Sequence, residues 1–470
     1  MSHSPVDLRT LASNAPVHFM GVGGAGMCPL AELLFRHGGQ VTGCDRSESR
    51  SVADLESVGI ACEIGHDASH VRGISALVVT AAIPADHPEI EAARVEGIPV
   101  LKRAEALGAW VNEGRLLAVA GTHGKTTTTA MATEILAAAD LDPTGLVGGR
   151  VQGWNGNLRY GADDLFVVEA DEYDRSFHTL RPDVAIVTNL EADHLEIYGD
   201  LDGVRDGFRV FLDGMKPGGT VAVCADDSGA SLLLPELGAH GLTYGTNAGA
   251  MVRGVDVEVR DGVTRCRIME RGVNAGMFEV PIGGVHNLRN ALGAAAAARV
   301  LGVEWDAIRR GLAAFRGVGR RFEKLGESAG VLVIDDYAHH PTEIAAALVA
   351  ARDGYPGRRV VAAFQPHLYS RTRDFRVEFG QALSLADEVW VTDVFPAREP
   401  PIPGVDGSMI ADAVRVTGDA VVHYEPSLAE LPHVVADSLG GGDLLITLGA
   451  GSIGAVGSQV LAALGARIHA

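Results

Sequence analysis

Short apolar runs rich in β-branched residues alternate with alanine-rich stretches along the chain, which predicts an α/β architecture built on parallel sheets. The spacing of the runs marks out three blocks. The first opens with a strand at 17–20, continues through strands near Val41, Val78 and Val100, and ends about Gly114 in a Rossmann-like pattern. The second starts with the apolar run 116–120, holds further runs at 165–168 and 184–188 and a more antiparallel-looking stretch at 252–280, and closes near Phe322. The third restarts at 331–334, continues at 360–364 and 388–394, and finishes with 444–447 before the glycine-rich segment 449–454. It again looks doubly wound. The expected domains are therefore 1–114, 115–322 and 323–470, the outer two Rossmann-like and the central one with a mixed sheet.

The run 116–120 breaks into Gly121-Thr122-His123-Gly124, then Lys125, then the hydroxyl-rich helix start Thr126-Thr127, with a helix expected over 128–139. This pattern reads as a triphosphate cradle. Glycines let backbone N–H groups converge on phosphate oxygens, the helix adds its positive dipole end, and Lys125 and Thr126 can meet the outer phosphates and Mg²⁺. Val119 stands where the usual GxxxxGK[ST] spacing has its first glycine. The central block is accordingly a P-loop-type ATPase domain, an ordinary strand-to-helix turn being the alternative.

Composition narrows the partners. With 470 residues and 47% hydrophobic content, core size is not limiting, and the net charge of −21 would repel nucleic acid and anionic lipid over most of the surface. Five cysteines, Cys28, Cys44, Cys62, Cys224 and Cys266, lack CxxC spacing, so neither a disulfide nor a zinc scaffold is expected. No signal pattern and no long apolar span is present, which fits a reducing cytoplasm and no membrane segment.

Gly21-Val22-Gly23-Gly24-Ala25-Gly26 follows a strand and precedes a helix, and Asp45 ends the next strand, as in the dinucleotide fingerprint. The pattern points to close approach of a diphosphate to Gly21, Gly23, Gly24 and Gly26 and a carboxylate near a ribose or base, tight strand–helix packing without a ligand being the alternative. NAD and a UDP-sugar both satisfy it. The run 165–168 ends in Glu169-Ala170-Asp171-Glu172, carboxylates placed to hold Mg²⁺, with Glu169 the chosen ligand; a solvated acidic turn is the alternative. The run 184–188 ends in Asn189-Leu190-Glu191-Ala192-Asp193-His194, so His194 is a candidate for a second metal position. Asn287 and Asn290 could read an adenine edge, although Asn287 could equally cap its helix. Arg321 lies at the second boundary, where it could reach phosphate oxygens.

Together these segments resemble the Mur ligase family over nearly the whole chain. The resemblance rests on Gly-Val-Gly-Gly-Ala-Gly-Met from Gly21, Gly-Thr-His-Gly-Lys-Thr-Thr from Gly121, Glu-Ala-Asp-Glu from Glu169 and Glu-Ala-Asp-His from Glu191. It continues with His-Asn-x-x-Asn from His286, Arg-Arg-Phe-Glu from Arg320, Asp-Asp-Tyr-Ala-His-His-Pro-Thr-Glu from Asp335 and Phe-Gln-Pro-His from Phe364. His123 and the Asp335 block look like the alanine-adding branch. The resemblance implies an ATP-dependent ligase of peptidoglycan precursor synthesis that joins L-alanine to the lactyl carboxylate of UDP-N-acetylmuramate through an acyl phosphate. It implies UDP-sugar, ATP and amino acid on the first, second and third domains. Carried over by residue, it puts Lys125 and Thr126 on phosphate and Mg²⁺, Glu169 and His194 on the metal side, Asn290 and Asp336 on adenosine, and Arg321 on the terminal phosphate. His339, His367 and Arg371 would line the alanine pocket, and His339 is a candidate base. Leu368 stands where the family often has arginine, which passes any carboxylate grip to Arg371 or a neighbour. The rival readings are a ligase that recycles a murein tripeptide, an NAD-dependent oxidoreductase, and a non-catalytic nucleotide-binding regulator. Oligomeric state stays open.

Overall fold

Runs that are apolar at every position become strands buried on both faces, as expected where helices cover a parallel sheet on either side. The computed structural model describes residues 7–154, 156–397 and 399–468. Its chain falls into two units, one of Met1–Val255, Arg267–Phe278 and Arg289–Arg316, the other of Asp256–Cys266, Glu279–Leu288 and Gly317–Ala470.

The first unit holds a five-stranded parallel sheet of β1 (Val17–Met20), β2 (Val41–Asp45), β3 (Ala61–Ile64), β4 (Ala76–Val79) and β5 (Val100–Lys102), ordered β3-β2-β1-β4-β5. β1 and β4 are wholly buried, whereas β3 at one edge is largely exposed. The order reverses at β1, so the first glycine loop leaves the sheet at its switch point, the usual place for a ligand in such folds.

The same unit carries β6 (Arg115–Ala120), β7 (Thr144–Val151), β8 (Gly156–Arg159), β9 (Leu165–Glu169), β10 (Val184–Val187), β11 (Thr220–Cys224) and β12 (Gly241–Gly245) in the order β12-β11-β10-β6-β9-β7-β8. β8 runs antiparallel to β7 and the other pairs are parallel, so the sheet is mixed. The stretch 252–280 forms three strands, β13 (Val252–Arg260), β14 (Val263–Glu270) and β15 (Val273–Val280). The helix after β6 spans Lys125–Ala138 and packs on the helix Trp305–Ala314. It starts three residues before the expected 128. Thr126 to Thr129 are poor helix formers, since a β-branched side chain loses χ1 freedom in a helix, but all four are buried here, and Thr129 donates its hydroxyl to the Lys125 carbonyl at 2.8 Å.

The second unit is built on β16 (Glu323–Ser328), β17 (Val331–Asp336), β18 (Arg359–Phe364), β19 (Glu388–Val391), β20 (Val421–Tyr424) and β21 (Asp443–Leu448), ordered β16-β17-β21-β18-β19-β20. Only the β16–β17 pair is antiparallel. Among the described residues no helix is long and apolar enough to cross a membrane.

Candidate active site

β10, β6 and β9 are neighbours and parallel, with Val187 opposite Ala120 and Glu169 opposite Val119, so their C-terminal ends arrive at one edge. Gly121 leaves β6 with φ +136°, and a Cβ there would run into the Thr188 hydroxyl. Gly124 caps the helix at φ +82°, and a Cβ on it would lie 2.5 Å from Asn290 Oδ1. Both positions therefore require glycine. The second also sets Asn290 beside the loop.

β10 fixes the loop from behind. Asn189 Oδ1 accepts from His123 N at 2.7 Å, and Thr188 Oγ1 donates to the His123 carbonyl at 2.6 Å. Thr122 Oγ1 accepts from Glu191 N at 2.9 Å, and His123 Nε2 lies 3.6 Å from Glu191 Oε2. Lys125 bends back into its own loop, its Nζ donating to the carbonyls of Gly121 (2.6 Å) and Thr122 (3.2 Å) and to both Glu172 oxygens (2.9 and 2.8 Å). Burial disfavours the ammonium, but the carboxylates of Glu172, Asp171 and Glu169 outweigh it and raise the lysine pKa. Burial in turn pushes the Glu172 carboxyl up, with the Lys125 charge opposing it. Glu172 is a partner of Lys125 that the sequence did not single out.

Glu169 Oε2 accepts from Thr126 Oγ1 at 3.1 Å, and its other oxygen accepts from Gly148 N. Hydroxyl and carboxylate oxygens together are hard donors of the kind Mg²⁺ takes. His194, at φ +53°, meets Glu196 (3.6 Å), Asp193 (3.8 Å) and the Tyr173 ring instead of Glu169.

In the first glycine loop, Gly21 N and Val22 N donate to the Cys44 carbonyl at 2.8 and 3.0 Å, and Gly23 N donates to Asp45 Oδ2 at 2.9 Å. Asp45 therefore shapes the loop. Asn157 Nδ2 reaches the Ala25 carbonyl at 3.4 Å, and Lys102 pairs with Asp174 at 2.6 Å, which ties the five-stranded sheet to the central one.

In the second unit, Asn287, the third residue of the helix Val285–Val300, donates its Nδ2 to the Gly283 carbonyl at 2.9 Å. Asp336 accepts from Phe322 N and Ala338 N, both at 2.7 Å, and burial pushes its pKa up to about 7 despite the neighbouring Arg321. Arg321 lies 4.9 Å from the Tyr337 ring centre and 3.8 Å from Glu343. Arg320, not singled out from the sequence, bonds Asp335 (3.0 Å) and the carbonyls of Gly449 (2.5 Å) and Gly451 (3.3 Å), anchoring this turn to the C-terminal glycine loop.

His339 Nδ1 lies 2.9 Å from the Tyr337 carbonyl, so that nitrogen carries the proton and Nε2 keeps its lone pair. Burial lowers its pKa to about 4, Glu343 opposing and the Arg371 charge assisting. Its ring stands 5.6 Å from that of His367, which stacks on Phe395. His339, His367 and Arg371 thus share one neighbourhood. Leu368, in place of the family's frequent arginine, has φ +70° and donates its N–H to the Phe395 carbonyl at 3.0 Å.

Three family models match the chain in succession: the Mur ligase family catalytic domain over 16–115, the Mur ligase middle domain over 119–298, and the Mur ligase glutamate ligase domain over 320–451. A UDP-N-acetylmuramate–L-alanine ligase from Paracidovorax citrulli is 44% identical over 95% of this chain and 96% of its own length. Among solved structures, the UDP-N-acetylmuramate-alanine ligase of Thermotoga maritima is 30% identical, with TM-score 0.82 over 96% of this chain and all of that one. A murein peptide ligase from Psychrobacter arcticus is 25% identical, with TM-score 0.70 over 96% of this chain and 99% of its own.

Proposed function

The chain belongs to the Mur ligase family, and from that premise we propose that it is the ATP-dependent ligase joining L-alanine to the lactyl carboxylate of UDP-N-acetylmuramate in peptidoglycan precursor synthesis. The observation that carries the reading is the sheet edge where Lys125, Thr126 and Glu169 meet around a glycine loop, in a chain 44% identical to a ligase of that name.

A lactyl carboxylate oxygen attacks the γ-phosphorus of ATP in line, the bond to the β-phosphate oxygen breaks, and an acyl phosphate and ADP result. Lys125 exchanges its loop carbonyls and Glu172 for phosphate oxygens and stabilises charge on the transferring group. Thr126 and Glu169 would hold Mg²⁺, which when bound neutralises phosphate charge; His194 is proposed for a second metal position. Arg321 adds positive charge at the terminal phosphate, and Asn290, Asn287 and Asp336 face adenosine. The alanine amine loses a proton, for which neutral His339 is the proposed acceptor, and attacks the acyl carbon. The tetrahedral intermediate expels phosphate and leaves the amide. Gly21, Gly23, Gly24 and Gly26 take the UDP diphosphate, with Asp45 holding their loop open. His367 and Arg371 grip the amino acid carboxylate. The proposed domains are 1–114 for the UDP-sugar, 115–322 for ATP and 323–470 for alanine.

Phosphate release from ATP, Mg²⁺ and UDP-N-acetylmuramate, with amino acids and the L-Ala-γ-D-Glu-diaminopimelate tripeptide offered in turn, tests this. Release that depends on free L-alanine supports it. Release that depends on the tripeptide alone would replace it with the recycling reaction.

A further inference from the structure

A polar cluster under the first sheet takes no part in the chemistry above. His18 on β1, Cys44 on β2, His70 in the short turn Ala68–Val71 and Glu89 in the helix Pro88–Val95 each bring one ligating atom within 4.8 Å of the others. His18 is 2% exposed, and Cys44 and Glu89 are fully buried. We propose that these four side chains form a binding site for one zinc ion.

The donors fit that ion. Two imidazole nitrogens, a thiolate and a carboxylate oxygen make a four-membered set of the kind zinc takes tetrahedrally, while Mg²⁺ prefers oxygen alone. The protonation pattern fits too. His18 Nδ1 lies 2.8 Å from Thr42 Oγ1, which can accept its proton, whereas Nε2 is buried with no hydrogen-bond partner. A buried acceptor left unsatisfied is costly, and coordination would use its lone pair. His70 Nδ1 lies 3.1 Å from Glu89 Oε1, and its Nε2 lies 3.2 Å from Glu63 Oε2. An ion on Nδ1 would leave Nε2–H donating to Glu63, the carboxylate–histidine–metal relay that orients ligands at zinc sites.

Glu89 gives a separate reason. A fully buried carboxylate needs a compensating charge. Among the described residues its ion-pair neighbours are the imidazoles of His66 (3.5 Å) and His70 (3.1 Å), with no lysine or arginine beside it. Its Oε1 also accepts from Asp67 N at 2.8 Å, and both oxygens accept from the Cys44 thiol at 3.6 and 3.7 Å, so a cation between them would meet Sγ as well once that thiol gives up its proton. Four protein donors leave no open position, which makes the site structural. It would clamp β1 to β2 directly beneath Gly21 and Asp45. The ligands are spread from residue 18 to residue 89 without a short repeat, so cysteine spacing, which argues against a zinc scaffold, does not register them.

The test uses the full chain, stripped with a chelator and titrated with Co²⁺ as the spectroscopic probe, then with Zn²⁺. The expected result is one equivalent of Co²⁺ giving tetrahedral visible bands and a thiolate-to-cobalt charge-transfer band, displaced by Zn²⁺ and untouched by Mg²⁺. Cys44→Ser should abolish the charge-transfer band, His18→Gln should weaken binding at least tenfold, and Zn²⁺ should raise the melting temperature of the parent protein only. Absence of the thiolate band in the parent protein, its persistence in Cys44→Ser, or a melting temperature indifferent to one equivalent of Zn²⁺ would overturn the proposal. The first and third readings need no variant to fold.

Discussion

At the scale of the residue, the phosphate-loop lysine is already engaged. Its ammonium sits on two carbonyls of its own loop and on Glu172, positions that phosphate oxygens would take over. Lys125→Ala should therefore cut ADP formation by about a hundredfold or more while the fold survives, as steady-state coupling to ADP release would show; a near-normal rate would remove the lysine from the phosphate clamp. Glu172→Ala leaves a buried ammonium without its carboxylate and should cost about 3 kcal/mol in urea unfolding of the free protein. ATP restores a counter-charge, so nucleotide should raise the melting temperature of that variant more than that of the parent; an equal rise would deny the exchange of partners. Asp336 makes stability depend on pH. Its pKa is about 7 in the folded chain against an ordinary 3.8, so between those values the folded state binds the extra proton and stability falls as pH rises. His339 acts oppositely below its ordinary 6.5, where the unfolded chain takes up a proton that the folded chain refuses until about 4. Denaturant titrations of Asp336→Asn should show a smaller loss of stability between about pH 4 and 7 than the parent, and an unchanged slope would mean that Asp336 is ionised throughout. That Lys125, Thr126 and Glu169 meet at one sheet edge was legible because a strand ending in glycine and lysine and a second strand ending in an acid bring those groups together. Glu172 was not, since nothing in the order Glu-Ala-Asp-Glu tells which acid the following turn carries inward.

At the scale of the element, the loop is defined as much by what excludes a side chain as by what donates hydrogen bonds. Gly121→Ala places a methyl group against the Thr188 hydroxyl at φ +136°, and should abolish the nucleotide-induced rise in melting temperature. Gly156→Ala, where a Cβ meets nothing within 4 Å, should retain it. Equal behaviour of the two variants would contradict the packing of the loop on β10. The central strands were legible because buried parallel strands are apolar at every position, as in β4 and β10. β3, with only four residues and mostly exposed, has no such run, and β8, half-polar Gly-Asn-Leu-Arg, offers no period to read.

At the scale of the whole molecule, three sheets in chain order were legible: the first two restart with a buried strand followed by glycine and a helix, and the third with the buried run of β17 ahead of the helix Pro341–Gly354. The grouping of the first two sheets in one unit was not legible. It depends on side chains far apart in the chain that share one buried core, such as Leu107 and Trp110 with Phe177 and Leu180, with the ion pairs Lys102–Asp174 and Arg9–Asp163 nearer the surface. The charge of −21 leaves anionic substrates to local features, the two glycine loops and a few cations, against a repelling background. The central claim is that the sugar-nucleotide acid is phosphorylated before it is joined to the amine. The most direct measurement places a heavy oxygen isotope in the lactyl carboxylate of UDP-N-acetylmuramate and follows it by mass spectrometry during turnover with ATP and L-alanine. Transfer of one labelled oxygen into the released phosphate is the predicted result, and phosphate free of label would contradict it.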